Sequence, residues 1–350
     1  MPTAIRPTLV PGLPLLRRGP RLLQFGVEPG PHCLIELPHP ALAAVVDLLD
    51  GGHTVAAIVR RAAGAGVPAG CVHDLIAALR RAGVALPAGD LHPPGLPPER
   101  RRRLAAEAAA LALAEPWRPP AAALTARSAA RIRLEIVAGT APAGAELGTV
   151  LARLLATAGV GRLDPVTAPA RRLAITAAIA DVAPDVDTGR LTRRASAVVH
   201  VGLDRPATLV ALGHARRRQP HLVVGARGPI VAVGPLVPPA GGPCLGCLDR
   251  HRTDRDPGWP DLAARVLAGT APAGAVTLHA AAAYAAGQVL ALIDGRAPDT
   301  IGALVEFDRD GAPRWRRWTH HPHCDCAAPA AAARGGGTHP RQAGDQRVPA

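Results

Sequence analysis

The segment GPCLGCLDRHRTDRDPGWP, residues 242–260, is the most diagnostic part of this chain because it contains the pair Cys244 and Cys247 in a Cys-x-x-Cys spacing. A second pair, Cys324 and Cys326, follows close to the end of the regularly patterned sequence. Two such pairs are typical of a structural zinc site, in which four thiolates surround Zn²⁺ at about 2.3 Å and leave no coordination position open. We therefore predict that these four cysteines bind Zn²⁺ and attach the C-terminal segment to the body of the protein.

The remaining cysteines and the N-terminus indicate a reducing compartment. The chain has 350 residues and six cysteines, and the two outside the pairs, Cys33 and Cys71, are isolated in apolar sequence. Residues 1–20 contain no apolar core of the kind that precedes a signal cleavage site. We expect a cytoplasmic protein with zinc rather than disulfides. Three histidines near the second pair are expected beside the ligands or in solvent: His320, His321 and His323.

The formal net charge of +13 suggests nucleic acid as a partner, but the distribution of charge argues against it. Every basic residue is Arg, and the only dense runs are residues 100–103 and 216–218, which contain no aromatic side chains for stacking on bases. The absence of Lys also excludes Schiff-base chemistry and a P-loop lysine. Residues 271–293 are uncharged and long enough to cross a membrane, but they are mostly Ala, so we predict a buried helix and no membrane partner.

The sequence divides into two folded parts. Residues 1–90 predict strands at 22–27 and 33–37, then three short helices and a final strand at 84–86, an order typical of a small winged helix-turn-helix domain. Residues 91–128 predict a proline-rich linker that contains one helix.

Residues 129–326 alternate strand and helix patterns, which predicts an α/β domain with a mostly parallel sheet. A hairpin is expected around Asp310 and Gly311 near the end of this domain. Residues 327–350 are rich in Ala, Gly and Pro, and we predict that they form a disordered tail.

Three glycines are candidates for a nucleotide-binding loop: Gly139, Gly144 and Gly148. They follow a predicted strand and open a predicted helix, which is the context in which backbone N–H groups bind phosphates. Their spacing departs from G-x-G-x-x-G, and Pro142 removes one N–H donor. A phosphate site and an ordinary strand–helix turn both remain open for this segment.

Several of these features together resemble the E1-like, ThiF-type adenylating proteins. The resemblance covers about residues 130–326. It rests on the helix that ends at Gly161, on Asp204 beyond a strand, on PCLGCL at residues 243–248 and on the terminal Cys-x-Cys. Residues 242–260 are similar, more narrowly, to an actinobacterial, cyclodehydratase-like branch that binds the leader peptides of TOMM precursors. Residues 1–90 are similar to the PqqD-like peptide-recognition domain of that branch.

The resemblance implies a set of nucleotide ligands that this chain carries only in part. The family uses the glycine loop for phosphates, an acidic residue after the second strand for ribose, Arg and Lys for the triphosphate, and an Asp at the position of Asp204 for Mg²⁺. Here the ribose position falls at Thr167, and the chain has no Lys. The family's catalytic thiol has no counterpart in residues 129–326 outside the cysteine quartet. We predict the fold and the zinc site but no catalytic residue, with ATP and Mg²⁺ as doubtful cofactors.

The function predicted from the resemblance is that of an adaptor that binds a precursor leader peptide for a separate, ATP-using cyclodehydratase that forms azolines. The leader is expected to add as a strand near residues 33–37 and to pack on the helix that carries Val72, Leu75 and Leu79. One alternative is an ATP-dependent adenylyltransferase that activates a peptide or carrier C-terminus. A second is a winged-helix DNA-binding regulator. A homodimer is expected by analogy with the family.

One charged segment, residues 249–261, keeps two interpretations. Asp and Arg alternate there directly after the first cysteine pair. The segment is either a surface loop whose charges pair internally or a docking surface with Trp259 as its anchor.

Overall fold

The structure is a computed structural model that describes residues 5–27, 33–137, 142–267 and 273–327. Gly139 and the predicted tail after residue 327 lie outside the described residues. The N-terminal unit contains β1 (Pro7–Leu9), β2 (Leu15–Arg17), β3 (Leu22–Phe25), β4 (Cys33–Glu36), α1 (Leu42–Val46), α2 (Val55–Ala63), α3 (Ala69–Arg81) and β5 (Ala85–Pro87).

The N-terminal unit has its own apolar core between a small sheet and three helices. Strands β2, β3 and β4 form an antiparallel sheet in that order, and β1 pairs with β5. Thr54 caps the N-terminus of helix α2, because its side-chain oxygen accepts a hydrogen bond from the N–H of Ala57. Val72, Leu75 and Leu79 on α3 are buried in this core. These three side chains therefore face inward and do not form an open groove for a peptide. Assignment of the unit to the winged-helix class stays a prediction.

The segment between the two units contains more helix than the sequence indicates. Its elements are α4 (Pro98–Arg103), α5 (Ala105–Ala114) and α6 (Pro120–Ala129). The sequence predicts a single helix in this segment, so α6, which begins at Pro120, is an additional helix. Proline is tolerated in the first turn of a helix, where its missing N–H would have no partner. Leu104, Ala108 and Leu124 form a small core between these helices.

The larger unit is a seven-stranded mixed sheet with helices on both faces. Its elements are β6 (Arg131–Ile136), α7 (Pro142–Thr157), β7 (Arg162–Val166), α8 (Pro169–Val182), β8 (Ala197–Val201), α9 (Ala207–Arg217), β9 (His221–Arg227), β10 (Ile230–Val237), α10 (Leu245–Arg255), α11 (Trp259–Leu267), α12 (Ala275–Ile293), β11 (Ala303–Phe307) and β12 (Pro313–Arg317). The strand order is β12-β11-β10-β9-β8-β6-β7.

Only half of this sheet is parallel. Strands β7, β6, β8 and β9 run parallel, whereas β10, β11 and β12 are joined by antiparallel pairings. The prediction of a mostly parallel sheet was wrong for the second half. A turn at Gly228, which has a φ of 61°, returns the chain from β9 directly into β10, and no helix crosses between them. The hairpin of β11 and β12 around Gly311 formed as predicted.

Two helix layers cover the sheet and define where a ligand could bind. Helices α7, α8 and α12 pack on one face in the main core, and α9 and α10 pack on the other. Helix α12 is long and apolar enough to cross a membrane, but half of it is buried in this core, as expected for a core helix. The chain leaves β6 toward β7 on one side, and β8 lies on the other. The carboxyl ends of β6 and β8 therefore form the switch-point crevice where ligands bind in such folds.

Candidate functional site

The four paired cysteines meet at the start of α10. Cys244 precedes the helix, Cys247 lies in its first turn, and Cys324 and Cys326 arrive from beyond β12. The Sγ–Sγ distances are 3.9 Å between Cys244 and Cys247, 3.6 Å between Cys244 and Cys324, and 3.3 Å between Cys247 and Cys326. Tetrahedral bonds of about 2.3 Å separate ligand sulfurs by about 3.8 Å. The cluster could therefore hold a metal ion with only small side-chain movements.

The pKa values of the thiol groups in this cluster differ widely. The Cys244 thiol donates a hydrogen bond to the Cys247 sulfur, which lowers the pKa of Cys247 to about 3. The backbone N–H of His321 also donates to the Cys247 sulfur. Burial raises the pKa of Cys326 to about 12. A cation bound here would favour the thiolate form of all four, since metal ligation deprotonates thiols.

His251, Asp254 and His321 lie beside the cysteine cluster and within reach of a single cation. His321 is buried, and its Nε2 lies 2.8 Å from the Asp254 carboxylate. Its Nδ1 accepts a hydrogen bond from the N–H of His323 at 3.1 Å. This places the ring proton on Nε2, which then donates to Asp254 and has no lone pair for a metal. We conclude that His321 attaches the C-terminal segment to α10 through Asp254.

The predicted nucleotide ligands are only partly brought to the switch-point crevice. Asp204 follows β8 as expected, but it is exposed, and its carboxylate contacts the neighbouring Arg205 at 3.2 Å. Gly144 lies in the first turn of α7, and Gly148 lies one turn further on. A Cβ atom on Gly148 would approach Ile136 Cδ1 to 2.6 Å. Packing of α7 on β6 therefore explains Gly148 without a ligand.

Polar groups lie along β7 and just beyond its end, and Asp164 among them was not singled out from the sequence. Asp164 is buried and accepts hydrogen bonds from Arg172 at 2.9 Å and from the N–H of Leu191 at 3.0 Å. The hydroxyl of Thr167, at the family's ribose position, is buried without a hydrogen-bond partner in the described residues. A cavity of about 260 Å³ lies between these groups. Glu135 also lines this cavity, and burial raises its pKa.

A chain of three histidines lies under α9, next to Glu135. His200 on β8 places its Nδ1 3.3 Å from the Glu135 carboxylate and its Nε2 2.8 Å from the Nε2 of His214. His214 stacks on His221 with ring centroids 4.3 Å apart. Burial, with the neighbouring histidines, lowers the pKa of His200 to about 3 and that of His214 to about 4, and burial lowers the pKa of His221. The three rings are therefore neutral at pH 7.

This cluster predicts a loss of stability in mild acid. Histidines in the unfolded chain bind protons near pH 6.5, whereas the folded cluster does not, so the free energy of unfolding falls as the pH drops below about 6.5. His200 alone should contribute about 2 kcal/mol of this loss at pH 5. Urea unfolding at about pH 7.5 and pH 5 measures the loss, and H200Q should reduce it.

A matched control for this experiment is H279Q, which removes an exposed histidine from α12. Charged groups near the cluster are Glu135, Asp204, Arg205 and Arg217, and all four remain in both variants. An equal acid loss in wild type, H200Q and H279Q would show that the cluster is not its source.

A further cavity of about 370 Å³, here called the α9–α10 cavity, opens beside the carboxyl end of β8. Its lining is mainly apolar and includes Leu203, Pro206 and Leu248. Arg252 stacks on Trp259 at 4.7 Å, and burial lowers the pKa of Arg252 to about 10. The segment 249–261 therefore contains the second half of α10, a short turn and the start of α11. Several of its residues form one wall of this cavity, so the segment is not a surface loop.

Comparison with known proteins identifies the fold. No protein-family model and no curated protein matches this chain. The solved structure of E. coli MccB with ATP superposes with a TM-score of 0.63 and 14% identity, covering 91% of this chain and 99% of that chain. E. coli MccB with MccA-N7isoASN gives 0.61 and 15%, with 91% and 99% coverage. A heterocyclase in complex with substrate and cofactor gives 0.62 and 17%, covering 93% of this chain and 39% of that chain.

These likenesses show that the chain shares a mixed α/β fold with MccB and with the heterocyclase. The likeness to MccB extends over almost all of that chain, which includes its N-terminal part. The likeness to the heterocyclase covers less than half of that chain, so most of it has no counterpart here.

Proposed function

We propose that this chain is a ThiF-like adaptor that binds the leader of a ribosomally made precursor peptide for azoline formation by a separate cyclodehydratase. The observation that carries the proposal is the open edge of β4 in the N-terminal sheet. MccB with MccA and the heterocyclase with substrate support a peptide ligand for this fold.

In this proposal the parts of the chain have distinct roles. Residues 1–90 are a PqqD-like recognition domain of the actinobacterial branch, residues 91–128 connect it, and residues 129–326 present the bound peptide to the partner. The protein acts in the cytoplasm, as a homodimer by analogy.

The β4 edge has the geometry that strand addition requires. In the part of the chain that the structure describes, β4 pairs with β3 alone, and the N–H of Leu37 donates to the carbonyl of Arg21 across that pair. Since hydrogen-bonded and non-hydrogen-bonded pairs alternate in antiparallel strands, the backbone groups of Leu34 and Glu36 point to the open edge. The Leu34 side chain is 54% exposed, so it adds an apolar contact for an incoming strand.

The substitution L34P should strongly weaken leader binding. Proline removes the outward N–H of residue 34 but leaves the β3–β4 hydrogen bonds in place, since prolines are tolerated on strand edges in this orientation. Titration of the full-length protein with the labelled precursor peptide encoded beside its gene should show at least a tenfold weaker Kd. L34A keeps the N–H and should lose much less affinity. Equal binding by wild type and L34P, with unchanged thermal stability, would refute strand addition at β4.

We also propose that the metal held by the cysteine cluster is Zn²⁺. Four thiolates in a tetrahedral arrangement favour Zn²⁺ over hard cations. Cys244, Cys247, Cys324 and Cys326 would hold it, and its chemistry would be structural because they fill all four positions. Its role in the adaptor is to fix the C-terminal segment against α10.

An adenylyltransferase is the second candidate, and the α9–α10 cavity favours it. A peptide terminus in this cavity would lie beside the carboxyl end of β8, where Asp204 and Glu135 could hold Mg²⁺. The described residues fit ATP poorly, since Thr167 stands where the family has a carboxylate for ribose and the chain has no Lys for the triphosphate. We therefore derive no step through ATP.

ATP–pyrophosphate exchange with the precursor peptide distinguishes the two candidates. The adaptor predicts exchange at background level in the wild type. Exchange that is well above background and is lost in D204N would establish the adenylyltransferase and remove the non-catalytic role.

A further inference from the structure

A cavity of about 530 Å³ lies between the N-terminal unit and the helical segment. Arg80 and Arg81 from the end of α3 and strand β5 form one wall, and Trp117 and Arg118 from the turn between α5 and α6 form the other. The two walls touch near Gly83, where a Cβ atom would come within 2.7 Å of Pro116. The cavity is therefore a fixed feature of how the two parts pack, and we call it the inter-unit cavity.

The charge of this cavity is strongly positive. Arg80 and Arg81 are exposed, and neither forms an ion pair within the described ranges. Arg118 is held in position by the carbonyl of Asp294 and by Glu115 at 3.8 Å. The carboxylates opposite these three guanidinium groups are Asp90 in the lining and Glu115, which pairs with Arg118. Several guanidinium groups around one cavity attract carboxylate or phosphate ligands.

Trp117 gives the cavity an apolar contact at its edge. Its side chain is 82% exposed, the most exposed large apolar residue in the described part of the chain. Trp259 and Trp318, by contrast, stack against Arg252 or Arg255. An exposed indole beside cationic groups is typical of a recognition surface, because Trp and Arg carry much of the energy of binding.

Backbone geometry distinguishes between the ligand classes that could satisfy these groups. Within the described residues strand β5 pairs with β1 alone, so its second edge is open there, and Ala85, Leu86 and Pro87 line the cavity. An extended peptide can hydrogen-bond to such an edge, whereas a nucleic acid strand cannot form a ladder with it. The guanidinium groups also lie around one compact, half-open cavity and do not follow a long groove of the kind that single strands require.

We propose that the inter-unit cavity binds an acidic, extended peptide segment, with its carboxylates on Arg80 and Arg81 and an apolar residue against Trp117. This inference rests on the peptide-binding function proposed above and names the chemical class of the peptide. The site is separate from the β4 edge, which lies in a different sheet. The two proposals can therefore fail independently.

The test is fluorescence anisotropy with the full-length protein and a labelled 12-residue peptide rich in Glu with one central Leu. We expect R80Q/R81Q to weaken its Kd at least tenfold and W117A at least threefold. The matched control is R60Q/R61Q, which removes two arginines from the last turn of α2, away from the cavity. It should change the Kd less than twofold. Binding should also weaken as salt rises from about 50 to 300 mM.

Two further probes complete the experiment. Inorganic phosphate and a dT12 oligonucleotide should compete weakly, and L34P should bind the acidic probe as the wild type does. Equal losses in R80Q/R81Q and R60Q/R61Q would overturn the proposal, because they would indicate non-specific charge attraction. Strong competition by phosphate or dT12 that depends on Arg80 and Arg81 would overturn it in favour of a small-anion or nucleic-acid site.

Discussion

Replacing Cys247 with Ser is expected to remove the bound metal and to destabilise the protein by more than about 4 kcal/mol, the range of effects that includes loss of a metal. Cys247 is fully buried, and its sulfur lies within 3.9 Å of the Cys244 and Cys326 sulfurs. A serine oxygen is a harder ligand than a thiolate, and the serine side chain is too short to place that oxygen at bonding distance from zinc. The metal content of purified protein and its urea unfolding curve measure the two effects.

The matched control is C71S, which changes a cysteine on α3, outside the cluster. It should leave one Zn²⁺ per chain and nearly unchanged stability. A chelator such as EDTA should reproduce the C247S effect in the wild type and leave C247S unchanged, since metal binding contributes directly to folding free energy. Full zinc content in C247S, or identical unfolding curves for C247S and wild type, would refute a four-cysteine site.

The sequence predicted the elements whose side-chain period is local and strong. The strands predicted at 22–27 and 33–37 contain β3 and β4 of the structure, because alternating side chains over so short a segment have few other interpretations. The convergence of the two cysteine pairs could also be predicted, since short spacings fix two sulfurs per turn. Binding of zinc by them stays a prediction.

The parts that could not be predicted depend on register between distant segments. Glu135 and His200 are partners across β6 and β8, and Val198 pairs with His221 across β8 and β9. His214 joins them only because α9 packs over this face of the sheet. Nothing in the local sequence around any one of these histidines indicates the other two. A signal was present in β6, where Arg133 and Glu135 alternate with buried apolar residues and mark a polar inner face.

The position of helix α6 depends on an ion pair between residues far apart in the sequence, which no local sequence pattern indicates. Arg127 on α6 is 3% exposed, and its guanidinium donates to both oxygens of Asp294, which is 1% exposed, at 3.0 and 2.8 Å. It also donates to Glu107 at 2.7 Å and to the carbonyl of Ala158 at 3.1 Å. Since Asp294 follows the end of α12, this network connects α5, α6 and α7 to the main core helix.

Replacing Arg127 with Ala should destabilise the protein by about 3–5 kcal/mol, because it leaves the buried Asp294 carboxylate with Arg296, 3.5 Å away, as its remaining ion-pair partner. The control R153A breaks the exposed Arg153–Asp181 pair and should cost less than about 1 kcal/mol. The double variant R127M/D294L removes both charges, so we expect it to be more stable than R127A. Urea unfolding of the four proteins at pH 7.5 measures these differences. A loss for R127A no larger than that for R153A would mean that the network is hydrated and contributes little to attaching α6 to the larger unit.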